Sequence, residues 1–109
     1  MQVTTTFRGL SKEDSATATN LIERHTSRLD RLVDEPVTVR AVIEGKPPEY
    51  TVTLSMSIER EDLVAQCAEH ELSLAVAEAC ERLRNQLVRM RQRRQSTRLK
   101  ASSSSEASE

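Results

Sequence analysis

Ten consecutive residues, Tyr50 to Glu59, alternate strictly between apolar and polar. Tyr50, Val52, Leu54, Met56 and Ile58 line one side; Thr51, Thr53, Ser55, Ser57 and Glu59 line the other. A period of two held this long requires a strand in a sheet with one buried and one wet face. Val37 to Glu44 repeats the pattern through Val37, Val39, Ala41 and Ile43, and Gly45-Lys46-Pro47-Pro48 reads as a connector. Gln2 to Phe7 is rich in β-branched residues and predicts a further short strand. Arg60-Glu61-Asp62 predicts a reversal into a strand over Leu63 to Ala68.

Two segments switch to helical spacing. Ser11 suits an N-cap, with Glu13 and Asp14 in the first turn, and a helix is expected from about Lys12 to Val33. Ile22, His25, Leu29, Leu32 and Val33 mark its buried face; Arg24, Arg28 and Arg31 share one flank. Pro36 prevents its continuation. A last helix is expected from Glu69–Glu71 onward, with Leu72, Val76, Ala79, Cys80, Leu83, Leu87 and Met90 as its core stripe. From about Arg91 it should leave the core. The order β-α-β-β-β-α predicts an α+β fold, a four-stranded sheet with both helices on one face. Residues 1–95 form the expected domain; residues 96–109, Ser-rich at the end, are expected to be a disordered tail.

Charge is segregated along the chain. Residues 1–81 hold 8 Lys/Arg against 15 Asp/Glu, whereas Arg82 to Lys100 carries eight basic residues and no acid. With Leu83 central in the buried stripe, Arg82, Arg89 and Arg93 fall on one flank and Arg84 and Arg91 on the other. Guanidinium forks match phosphate oxygens, so a nucleic-acid partner is expected over a merely solvated face. The predicted open sheet face offers hydroxyls and no ring for stacking bases, so readout should be of backbone and shape.

Other chemistry finds little support in the residues. Cys67, His70 and Cys80 lack the paired spacing of a structural zinc site, and both thiols are expected to be reduced core residues. Gly9 and Gly45 are the only glycines, too few for a phosphate loop, and no Ser/His/Asp set is arguable. A non-enzyme is expected, with no metal, cofactor or small-molecule substrate. No apolar run reaches membrane-spanning length and the N-terminus does not read as a secretory signal, so a cytoplasmic protein is expected.

Three stretches together resemble a known family. MQVTTTFRGL, LIERHTSRLDRL (Leu21 to Leu32) and ELSLAVAEACERLRNQLVRMR (Glu71 to Arg91) are similar to the opening strand and two helices of the ribosome hibernation promoting factors, also called ribosome-associated inhibitors or sigma-54 modulation proteins. The resemblance covers about residues 1–95 and rests on order, length and periodicity. It implies a domain that binds rRNA of the small ribosomal subunit, lodges in the channel for messenger and transfer RNA, and silences translation in resting cells. By position, Arg82, Arg89 and Arg91 match recurrent basic sites of the family's second helix, and Arg28 lies near the basic flank of the first. Arg24, Arg31, Arg84 and Arg93 join them by helical geometry. Ser73 and Ala77 depart from the family's usual aromatic and Asp. The chain would be a short form, and a monomer is expected. The competing expectation is a protein-interaction module, using the open sheet face or pairing the stripe of the last helix with another helix.

Overall fold

The structure is a computed structural model that describes the backbone of residues 1–107 and the side chains of residues 1–94. Its elements are β1 (Gln2–Arg8), α1 (Lys12–Leu29), a 3₁₀ turn (Asp30–Leu32), β2 (Thr38–Lys46), β3 (Glu49–Ile58), β4 (Glu61–Glu69) and α2 (Leu72–Ala107). The sheet order is β1-β2-β3-β4. β1 runs parallel to β2, and β2, β3 and β4 form an antiparallel meander. This is the α+β arrangement that the alternation and helical spacing imply. The expectation of a disordered 96–109 falls beyond the described side chains, and residues 108–109 lie outside the described residues altogether.

The core lies between the sheet and the two helices. Val39, Ala41 and Ile43 of β2 and Val52, Leu54, Met56 and Ile58 of β3 are all buried, as their alternation requires. Against them pack Ala18, Ile22 and Leu29 of α1, and Leu72, Val76, Ala79, Leu83, Leu87 and Met90 of α2. This corrects the idea that the α2 stripe could pair with a partner helix: the core already consumes it. The buried Thr26 hydroxyl donates to the Ile22 carbonyl at 2.7 Å, so its burial leaves no orphaned polar group.

Several boundaries differ from those read in the sequence, each for a local reason. α1 stops at Leu29 because its last turn tightens into the 3₁₀ segment, and Val33 then becomes extended ahead of Pro36. β2 runs on through Gly45 and Lys46, which pair with Tyr50 and Glu49 around the Pro47-Pro48 turn. β4 begins at Glu61 because the reversal is only Glu59-Arg60, both at positive φ (50° and 68°). Such a turn ordinarily takes Asn or Gly. Here Arg94 holds it, donating to the Glu59 carbonyl at 3.0 Å and pairing with its carboxylate at 2.8 Å. α2 opens at Leu72, with the Glu71 carbonyl accepting the Ala75 N–H, so Glu69 to Glu71 precede the helix.

Candidate nucleic-acid interface

The two flanks of α2 face different neighbours. Arg82 and Arg93 reach toward β4: Arg82 Nη1 donates to the Gln66 carbonyl at 2.7 Å, and Arg93 Nη2 pairs with Glu61 at 2.8 Å. Arg84 and Arg91 face the α1 side. Arg84 lines the groove between the helices, and Arg91 donates to the Leu32 carbonyl and lies 3.7 Å from Asp34. For these four residues the flank assignment from helical spacing matches the geometry. The expectation that the helix leaves the body from Arg91 does not: Arg91, Arg93 and Arg94 all contact it. Arg94 was absent from the expected contact set, yet its place four residues after Met90 continues the core stripe and aims it at the β3–β4 turn.

These pairs hold the arginines without hiding them. The Arg84, Arg91 and Arg93 side chains remain 51%, 46% and 66% exposed, and among the described residues Arg84 has only Glu81, at 3.7 Å, as an ion partner. Exposed pairs of this kind contribute little, so a phosphate can replace the carboxylate. Arg24, Arg28, Arg31 and Arg89 are exposed, and their guanidinium groups make no hydrogen bond or ion pair among the described residues. Arg28 and Arg84 stand on opposite walls of the inter-helical groove, about 600 Å³, together with His25, Leu29, Ala77 and Glu81. Arg24 lies on α1, whereas Arg31 falls in the 3₁₀ turn beyond the end of the helix, so the single helical flank expected for Arg24, Arg28 and Arg31 is interrupted at Leu29. Two cationic walls over one groove can straddle a phosphodiester backbone, although Glu78 and Glu81 also line it.

His25 titrates below its ordinary range, first because of burial and then because Arg28 and Arg24 repel a second charge. It is therefore neutral at physiological pH and adds no cation to the groove. The unfolded chain takes up this proton more readily, so the contribution of His25 to stability falls as pH drops through 6.5.

The opposite sheet face carries no aromatic ring. Thr51, Thr53 and Ser55 are half-buried there and Ser57 is exposed, while Tyr50 is turned to the helix side, where its hydroxyl meets Asp14 at 3.3 Å. Stacking of unpaired bases on this face has no platform.

The thiols form a separate arrangement. Cys67 does not meet Cys80 or His70; its S–H donates to Glu78 at 2.8 Å, and Glu69 completes a cluster whose ligand atoms lie within 4.8 Å of one another. Burial pushes the Cys67 thiol up to about 11, helped by the hydrogen bond to Glu78, and burial alone pushes Cys80 to about 12. Glu69 is raised chiefly by its hydrogen bond with Glu78, and Glu78 is lowered chiefly by that from Cys67. With no ion bound, the cluster keeps the proton on sulfur, and a metal would have to displace it to take the thiolate. Neither cysteine should react with iodoacetamide in the native protein at pH 8, and both should react in denaturant, as mass spectrometry would read. Because the unfolded thiols ionise first, stability should decline as pH rises above about 9.

The chain and its fold are similar to those of known proteins. The family described as Sigma 54 modulation protein / S30EA ribosomal protein matches residues 3–95. No curated protein matches the sequence. Among solved structures, the Protein Y N-terminal domain of Thermus thermophilus superposes with a TM-score of 0.72 at 19% identity, covering 83% of this chain and 99% of that one. A ribosomal subunit interface protein from Coxiella burnetii gives 0.69 at 16% identity, covering 84% and 98%. At these identities the likeness speaks for the fold.

Proposed function

Because the chain belongs to the Sigma 54 modulation protein / S30EA ribosomal protein family, a ribosome-associated group, we propose that it binds the small ribosomal subunit through the basic flanks of α1 and α2. In this reading it represses translation by steric occupancy, filling the path of messenger and transfer RNA, and it acts in the cytoplasm. The observation that supports the binding mode is the pair Arg28 and Arg84 across the inter-helical groove, extended by exposed Arg24, Arg31 and Arg89. Recognition is of phosphate and shape, since the sheet offers no stacking surface. No catalytic step is needed for such a role.

Co-sedimentation with purified small subunits tests this. Binding at low salt should weaken steeply as salt rises, with a log–log slope of about −4 to −5 for five or six neutralised phosphates. Failure to co-migrate at low salt refutes the reading.

A further inference from the structure

The two outer strands of the sheet present very different free edges. On β4 the outward carbonyls of Val64 and Gln66 accept from Gln86 Nε2 at 2.6 Å and Arg82 Nη1 at 2.7 Å. Arg94 takes the Glu59 carbonyl just before that strand. α2 thus closes the β4 edge, one of the ways a sheet avoids pairing with another chain.

β1 has no such cover. The Gln2 N–H bonds to the Val37 carbonyl at 2.9 Å. In a parallel pair both polar groups of a residue point to the same side and alternate along the strand. Gln2, Thr4, Thr6 and Arg8 therefore face β2, while Val3, Thr5 and Phe7 direct their N–H and C=O groups outward. Among the described residues no side chain reaches those groups. The side chains of Val3 and Phe7 are only half-buried, although their β2 neighbours Val39 and Ile43 are fully buried. No charged residue occurs from Gln2 through Phe7.

We infer that β1 pairs antiparallel with β1 of a second copy of this chain, about a two-fold axis at Thr5. This register brings the outward groups of Val3, Thr5 and Phe7 in each copy against those of Phe7, Thr5 and Val3 in the other. Val3 packs on Phe7 across the axis on the helix side of the sheet. On the open face Thr4 meets Thr6, and Arg8 meets the uncharged Gln2, so no like charges oppose. A second copy is favoured because the alternative, β1 of one copy on β4 of the next, is barred by Arg82 and Gln86. Only the self-complementary contact remains, and it closes at two copies. The inference is independent of ribosome binding and departs from the monomer expected from the sequence.

Sedimentation velocity on the full chain from about 1 µM to about 1 mM tests it. The weight-average mass should rise from 12.3 kDa toward twice that value and stop there. Thr5→Pro removes an outward N–H without touching the β2 ladder and should hold the protein at the monomer mass. Because Thr5→Pro could also disturb folding, the double variant Thr4→Lys/Thr6→Lys provides a second arm. It changes two exposed positions, sets Lys against Lys across the axis, and should stay monomeric with an unchanged melting temperature. A wild-type mass that never rises, growth beyond two copies, or association undiminished in Thr4→Lys/Thr6→Lys each overturns the inference. Pairing with an extended peptide from another protein instead of a second copy would appear as the first of these.

Discussion

Substituting Glu for Arg28, Arg84 and Arg89 together should lower affinity for the small ribosomal subunit by about 10³-fold or more at low salt, counting about 1.5 kcal/mol for each lost charge-assisted contact. The salt slope should flatten by about one for each phosphate contact removed. These three are chosen because the body does not depend on them. Arg28 and Arg89 have no partner among the described residues, and Arg84 has only its distant pair with Glu81. Exposed substitutions away from such contacts change stability by less than about 0.5 kcal/mol each, so a circular-dichroism melt should be nearly superimposable on that of the wild type. Arg91 and Arg93 are left alone, since Glu there would face Asp34 and Glu61 and confound binding with folding. Arg40→Glu, on the open sheet face, is the contrasting variant and should alter affinity less than the triple change by orders of magnitude. Equal losses from both proteins would move the interface to the sheet, and no loss from the triple variant would dismiss the helical one.

Gly9→Ala should unfold the protein at a temperature lower by about 10–20 °C, corresponding to about 2–3 kcal/mol for a domain of this size. Two costs combine. Gly9 sits at φ +66°, where a side chain costs about 1–2 kcal/mol. A Cβ there would also lie 2.5 Å from the Gly45 carbonyl oxygen, a backbone atom that cannot turn aside. The β1–α1 turn would have to lift off β2. Gly45→Ala is the informative companion. Its Cβ would meet Leu10 Cδ2 at 2.6 Å and the Gly9 carbonyl oxygen at 2.7 Å, but without the left-handed backbone. It should be destabilising by less. A shift under about 5 °C for Gly9→Ala would mean that the turn can be displaced at little cost.

The sequence made the main layers readable because their signals are local. Alternation in Tyr50–Glu59 identified β3 and its buried side, and the spacing of Leu72, Val76, Leu83, Leu87 and Met90 identified the packed face of α2. The arginine flanks followed from the same helical geometry. What could not be read depends on residues far apart in the chain. Nothing in Gly9 or Gly45 alone reveals that their backbones touch. Glu59-Arg60 lacks the usual residues of a tight hairpin, and only Arg94, 35 positions later, accounts for its conformation. The acids that hold Arg91, Arg94 and Arg93 lie in the α1–β2 connection, in the β3–β4 turn and at the first residue of β4, so composition reported a basic segment where the folded surface is partly balanced.

That balance changes what a salt titration counts. Asp34, Glu59 and Glu61 already stand where nucleic-acid oxygens would stand around Arg91, Arg94 and Arg93. A phosphate arriving at these positions swaps one anion for another, and the displaced carboxylate recruits a cation from solution. The ions set free from the RNA are offset by those the protein takes up. The ionic-strength dependence of binding should therefore report the unpaired guanidinium groups, and undercount the total number brought to the RNA.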